Sequence, residues 1–263
     1  MTVPAADAGP VLTTVTSEVD TPEGTGRWHL DLAATPRAVL VLGHGAGGGV
    51  TAMDLALLAR ELPPRGITVA RFEQPWRLAG RKVAVPPLRL DEGWLPAVDA
   101  LVGRVEIAGL PPLAGLPLLA GGRSAGARVA CRTADRLGVA GVLCLAFPLH
   151  LPGRPDRSRL PELLGPTVPR LVLQGTRDTF GTAAELSADL AAAGGSDQVV
   201  VVPLPGADHG FKTPARAEFR PADLRALVVA SAVELVAAVS SAEEHGADVL
   251  DESPSAAGAR PRE

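Results

Sequence analysis

The chain contains no tyrosine, only two cysteines, and few aromatic residues of any kind, 3% of 263 positions. Cys131 and Cys144 have no motif spacing, so they supply neither a disulfide framework nor a metal-binding cluster and read as buried thiols on a predicted helix and a predicted strand. Lysine is confined to Lys82 and Lys212, the other basic residues being arginine. That skew, with the excess of Ala, Gly and Pro, reflects a GC-rich coding sequence better than any function. A net charge of -4 calls for neither nucleic acid nor a membrane surface as partner. No basic region followed by an apolar stretch opens the chain, and no apolar run has the length of a membrane span, so a cytoplasmic location is expected.

What is present is a series of short, continuous Val/Leu runs alternating with helical patterns. Strands are expected near 27 to 33, 37 to 43, 67 to 73, 116 to 121, 139 to 147, 170 to 174 and 198 to 203, with an extra N-terminal strand around 11 to 18. Helices are expected near 51 to 62, 91 to 106, 124 to 137, 182 to 193 and 221 to 241. Continuous rather than alternating hydrophobicity in the strands implies burial on both faces, hence an α/β fold with a mostly parallel central sheet covered by helices on both sides. The length suits one such domain over 27–242. Residues 1–26 form an N-terminal segment. Residues 243–263, rich in Glu, Asp, Ser, Pro and Ala without apolar period, read as a disordered tail.

Ser124 lies in Gly122-Arg123-Ser124-Ala125-Gly126, between an apolar run and a helical pattern. A strand, a tight turn and a helix with serine at the bend is the arrangement of a nucleophile elbow, in which flanking side chains larger than hydrogen would clash. Downstream, Leu171-Val172-Leu173-Gln174-Gly175-Thr176-Arg177-Asp178 delivers a carboxylate just beyond a strand end. Val199 to Val202 then leads into Pro203-Leu204-Pro205-Gly206-Ala207-Asp208-His209-Gly210-Phe211, a loop carrying histidine. All fall at carboxyl ends of strands, where open parallel sheets collect their chemistry. Ser124, Asp178 and His209 are therefore the candidate nucleophile, acid and base. Asp156 is a rival acid. His29 lies within an early strand, His150 precedes Asp178 and His245 is in the tail. Asp208 adjoins the base but points elsewhere.

The order Ser, Asp, His is that of the α/β-hydrolases, and the chain resembles this superfamily from roughly Trp28 to Val239. Gly43-His44-Gly45-Ala46-Gly47-Gly48, after the run Ala38 to Leu42, resembles their His-Gly loop. Together with Gly-Gly-Arg-Ser, Phe147-Pro148-Leu149-His150-Leu151-Pro152-Gly153 and Ala207-Asp208-His209-Gly210-Phe211, it is similar to the testis-expressed hydrolase-like and dienelactone-hydrolase-like group. True dienelactone hydrolases carry cysteine where this chain has Ser124. The resemblance implies an α/β-hydrolase fold and an esterase-like serine hydrolase acting on an ester, thioester or related acyl bond. It also implies an oxyanion hole from the amides of Ala46 and Ala125, with Gly47 as an alternative donor. No metal or organic cofactor is implied.

The stretch Pro148 to Pro169, where many of these enzymes insert a cap, is too short for a lid domain, so no sizeable cap and a shallow site are expected. Phe72, Trp76, Phe147, Phe180 and Phe211 fall at or beyond strand ends and suggest an apolar pocket wall, though core packing accounts for some of them. The candidate substrate contacts are His44, Trp76, Arg123, Phe147, Phe180 and Phe211, His44 serving chiefly to order the glycine loop. Arg77, Arg81, Arg123, Arg154, Arg157, Arg159 and Arg177 share the active face. They read either as solvated surface arginine or as a basic rim for an anionic acyl substrate. The expected partner is a small molecule, with the chain a monomer or small homo-oligomer. Two other readings stand beside this one. Gly43-x-Gly45-x-x-Gly48 with Glu73 at the end of the next strand also fits a dinucleotide-binding fingerprint. A hydrolase fold can also serve as an interaction scaffold with little activity.

Overall fold

Ala38–Gly43 is buried at every position, and its side chains divide between two cores: Val39 and Val41 on one face of the sheet, Leu40 and Leu42 on the other. The same alternation recurs in the neighbouring strands, with Val142 and Cys144 opposed to Leu143 and Leu145. Period-two placement of an unbroken apolar run is what a strand covered on both sides requires.

The computed structural model describes residues 14–103, 113–195, 197–217 and 219–251. Eight strands form one sheet: β1 (Thr14–Thr21), β2 (Gly24–Asp31), β3 (Ala38–Gly43), β4 (Ile67–Glu73), β5 (Leu118–Arg123), β6 (Gly141–Leu145), β7 (Arg170–Gly175) and β8 (Val199–Leu204). Their order is β1-β2-β4-β3-β5-β6-β7-β8. β1 and β2, and β2 and β4, pair antiparallel, and every later neighbour pairs in parallel. The expected N-terminal strand is present as β1, shifted to Thr14–Thr21, and residues 11–13 lie outside the described ones.

The helices are α1 (Met53–Glu61), α2 (Pro75–Leu78), α3 (Pro87–Val102), α4 (Ala125–Leu137), α5 (Leu160–Leu164), α6 (Ala183–Ala192) and α7 (Pro221–Asp251), with a 3-10 turn at Pro63–Arg65. α3, α4 and α6 contribute to the core on one face, α1 and α7 to that on the other. α3 starts earlier than its pattern suggests because Pro87, with its fixed φ and missing N–H, suits a first helical position. The 3-10 turn, α2 and α5 are too short to produce a readable period. α6 opens with a capping box in which Thr182 and Glu185 satisfy each other's backbone N–H groups.

The C-terminal helix departs further from the sequence reading. α7 runs to Asp251, into the segment set apart as a tail; residues 252–263 lie outside the described ones. Its stretch Pro221–Ser241 is also long and apolar enough to cross a membrane by length and composition, with a mean hydropathy of 1.7. That corrects the expectation that no run reaches such a length. In the fold Leu224, Val228, Ala232, Leu235 and Val236 are buried in a core cluster, as a helix covering a sheet requires.

The connection from β6 to β7 folds back onto α4 rather than forming a cap. Leu163 is fully buried, and Glu162 accepts from Arg128 Nε at 2.7 Å and from Arg132 Nη1 at 2.9 Å. Arg132 also grips Asp91 of α3 at 2.7 and 2.8 Å. Burial raises the affinity of Glu162 for a proton, but the two guanidinium groups outweigh it and hold the carboxyl below its ordinary range.

Candidate active site

At the end of β5 the chain turns through Ser124, whose φ of 53° and ψ of -110° lie outside the usual regions for an L-residue. Its N–H donates to the Leu145 carbonyl at 2.9 Å. The flanking glycines are required by close approach. A Cβ on Gly122 would stand 2.5 Å from the Gly43 oxygen, and one on Gly126 would run into the Gly43 carbonyl itself. The obstacle in both cases is the end of β3, so the elbow and the glycine loop pack backbone against backbone.

β7 and β8 carry the other two candidates. Beyond their ends, Thr176 N–H donates to the Leu204 carbonyl at 3.1 Å, Arg177 N–H to the Ala207 carbonyl at 2.9 Å and Gly206 N–H to Thr176 Oγ1 at 2.8 Å. A Cβ on Gly175 would overlap the Ala207 carbonyl, so glycine is what lets these two loops touch. Asp208 Oδ1 accepts from the N–H groups of Gly210 at 2.7 Å and Lys212 at 2.9 Å, closing the turn that presents His209.

The three residues meet in one chain of hydrogen bonds. His209 Nδ1 is 2.8 Å from Asp178 Oδ2, and His209 Nε2 is 3.0 Å from Ser124 Oγ. Asp178 is 1% exposed, and its Oδ1 accepts the Phe180 N–H at 2.8 Å. Gln174, fully buried in β7, approaches Asp178 Oδ2 with Nε2 at 3.2 Å and also donates to the Gly181 carbonyl at 2.6 Å. A hydroxyl within reach of an imidazole that is itself oriented by a buried carboxylate can be deprotonated as it attacks a carbonyl carbon.

The competing residues lie elsewhere. Asp156 is exposed and pairs with Arg154 at 3.4 Å, His29 pairs with Glu73 at 3.2 Å, and His150 Nδ1 bonds the Leu151 carbonyl at 2.9 Å. Glu73 is thus engaged across β2 and β4. Gly43 and Gly45 pack on the elbow, a Cβ on Gly45 falling 3.4 Å from that of Ser124.

His44 orders the loop. Its Nε2 accepts the Gln74 N–H at 3.2 Å, its Nδ1 bonds the Gly45 carbonyl at 2.9 Å, and its ring lies 5.6 Å from that of Trp76. Burial pushes its pKa below the ordinary histidine value against the pull of the Gly45 carbonyl and Glu73, so the ring is held neutral. Within the same loop the N–H groups of Ala46 and Gly47 donate to nothing among the described residues. Ala125 opens α4, where an N–H has no acceptor inside the helix. Ala46, Ala125, His44 and Trp76 border one narrow slot.

Arg123, expected to contact substrate, is occupied otherwise. Its Nη1 binds Asp54 Oδ2 of α1 at 2.6 Å, its Nη2 donates to the His209 carbonyl, and its guanidinium carbon lies 5.7 Å from the centre of the Phe211 ring. Phe72, Phe147 and Phe211 are packed into the cores, so they build the frame of the site rather than its lining. Phe180 is half-exposed and stacked on His209 at a centroid distance of 4.2 Å. The arginine rim thins out in the same way: Arg154 and Arg157 share Asp156, and Arg159 donates to the Pro148 carbonyl. Arg77, whose Nε lies 3.8 Å from a Cβ built on Gly49, and the exposed Arg81 and Arg177 have no ion-pair partner among the described residues. Motif reading assigned Arg123 to the substrate and missed Gln174, although a polar residue directly after the apolar run Leu171 to Leu173 was a visible signal for it.

Comparison with known proteins gives the same fold. A lid-less α/β serine hydrolase from Xanthomonas campestris superposes with a TM-score of 0.64 at 20% identity, covering 86% of this chain and 97% of that one. An α/β serine hydrolase homologue from Coxiella burnetii gives 0.64 at 21% identity, with 84% and 98% covered. A dienelactone hydrolase from Anabaena variabilis gives 0.60 at 20% identity, with 84% and 95% covered. No curated protein matches the sequence. Residues 36–237 match the family model described as the alpha/beta hydrolase domain, a span that takes in the glycine loop, the elbow and both loops bearing Asp178 and His209, and the chain belongs to that family.

Proposed function

We propose that the protein is a serine hydrolase that cleaves a carboxylic ester, thioester or related acyl bond through an acyl-enzyme on Ser124. The observation that carries this reading is the unbroken relay from Ser124 Oγ through His209 to the buried Asp178, at 3.0 and 2.8 Å. In it Ser124 Oγ attacks the carbonyl while His209 Nε2 takes its proton. Asp178 fixes the tautomer with the proton on Nδ1 and stabilises the imidazolium that forms. The amides of Ala125 and Ala46, or Gly47 in place of Ala46, hold the oxyanion; one such donor is worth about 3 kcal/mol of barrier. His209 then returns the proton to the leaving group, oxygen in an ester and sulfur in a thioester, and water repeats the sequence to release the acid.

The substrate is a small molecule, and the free thiols of Cys131 and Cys144, with sulfurs 3.5 Å apart, suit a reducing, cytoplasmic compartment. Of the arginine rim, Arg77 beside the glycine loop is the residue best placed to favour an anionic ester. Matched neutral and anionic esters at two ionic strengths test that part; equal rates without salt dependence remove it.

The test of the whole is covalent labelling with a fluorophosphonate, the adduct mapped by mass spectrometry. A stoichiometric adduct on Ser124, lost in Ser124→Ala and His209→Ala, is expected. A folded protein that takes no label overturns the proposal.

A further inference from the structure

The slot bordered by Ala46 and Ala125 runs inward between the glycine loop, α2, α3 and α4. Its inner walls are Trp76, Leu90, Trp94 and Val129, between 0% and 7% exposed, and the half-buried Ala84 completes it. Ala125, next to Ser124, borders it, whereas none of Ser124, Asp178, Phe180, His209 or Phe211 does. The space is small. It has room for about one water molecule or one methyl group.

The two halves of an ester are told apart here by the proton they need. The leaving oxygen must receive its proton from His209 Nε2, so the leaving group has to lie on the His209 side, against the half-exposed ring of Phe180. With the oxyanion on the amides of Ala46 and Ala125, the remaining substituent of the tetrahedral carbon, the acyl chain, points to the side that His209 does not border. The slot lies on that side, bordered by Ala125 next to the nucleophile and not by His209.

We propose that this slot is the acyl pocket and that it limits the acyl group to acetyl, while the alcohol half lies in the open against Phe180 and is not limited in size. The substrate class is then short-acyl esters of bulky alcohols. The inference rests on Ser124 being the nucleophile. It makes Trp76 and Leu90 the residues that set chain length, since Trp94 also anchors the core through contacts with Trp28 and Phe72 at 6.1 and 6.0 Å.

The experiment measures kcat/KM for p-nitrophenyl acetate, butyrate and octanoate on the wild-type chain and on Trp76→Ala, Leu90→Ala and Ala84→Phe, each first titrated with a fluorophosphonate to count working nucleophiles. In the wild type, acetate should exceed butyrate by about 10-fold or more, in line with what added methylenes cost in a closed apolar pocket, and octanoate should be barely cleaved. Trp76→Ala or Leu90→Ala should move the preference to butyrate, whereas Ala84→Phe, which fills a space of about one methyl group, should depress acetate as well. Two enlarging variants are used so that one that fails to fold leaves the other to decide. A profile flat from acetate to octanoate, one unmoved by either enlargement, or labelled protein that cleaves none of the three overturns the acyl pocket. Absence of label on Ser124 instead overturns the hydrolase reading on which it rests.

Discussion

His44 and His209 stand at the carboxyl ends of the same sheet, on loops that both reach the serine elbow, yet their surroundings give them opposite work. His44 is 4% exposed, and its partners are an N–H and a carbonyl of the chain itself. Neither carries a charge that would balance an imidazolium, and burial holds the ring neutral. His209 has a carboxylate on one nitrogen and a hydroxyl on the other. It can therefore accept a proton at Nε2 and have the resulting charge balanced at 2.8 Å. Partner chemistry, more than depth in the fold, separates the histidine that shapes a loop from the one we propose as the base.

The sharpest way to break the comparison is to remove the proposed base. His209→Ala should lower kcat by about 10⁶, as loss of the base does in other triads, and Ser124→Ala by a similar factor, with the double variant no worse than either single one because the two act as a unit. Additive losses would show that they do not. Asp178→Asn comes next, with a loss of about 10⁴ in kcat, because an amide in that place selects the wrong tautomer of His209. The variant should still take up the slot-sized acetate ester, so KM should change far less than kcat.

Arg123 offers a smaller and different break. It joins three elements through Asp54 of α1, the elbow from which it projects and the carbonyl of His209. Arg123→Met should misplace His209 relative to Ser124 and lower kcat by about 10²-fold, the usual cost of a displacement near 1 Å. It also leaves Asp54, 2% exposed, without its cation, so denaturant unfolding should show a loss of about 3–5 kcal/mol. Adding Asp54→Asn should restore much of the stability and little of the activity. If both return together, Arg123 is a structural brace and nothing more.

This clamp also marks where the sequence stops being legible. The parallel strands could be read because burial on both faces leaves unbroken Val/Leu runs, and Ser124, Asp178 and His209 could be named as candidates because each lies on the turn or loop after such a run. Arg123 sits inside the most conspicuous motif, but its partners lie 69 and 86 residues away, and no local pattern announces a contact made only in the folded chain. Phe147 and Phe211 misled for a related reason: a strand's carboxyl end is both the rim of the site and the top of the core, and position along the chain does not say to which side a ring turns. α2 and α5, at four and five residues, are shorter than the period that would reveal them. Trp76, which α2 supplies to the slot, was nonetheless legible from its place just beyond a strand end; the helix that carries it was not.

The smallest expected effect falls on His44 and is a dependence of stability on pH. In the unfolded chain His44 takes up a proton below its ordinary pKa of about 6.5; in the folded chain, burial holds it neutral to a lower pH. Between those two pKa values the unfolded state binds more protons, so stability rises with pH across that window and is lost on acidification from neutrality. The contribution is at most about 1.4 kcal/mol per pH unit. His44→Gln keeps an acceptor available for the Gln74 N–H and removes the titration. Thermal melts of both proteins between pH 7 and pH 5 should show the wild type losing stability faster than the variant, every other titrating group being common to the two and cancelling in the difference. Equal slopes would mean that His44 is protonated in the folded loop as readily as in the unfolded chain. The contrast with His209 would then rest on geometry alone.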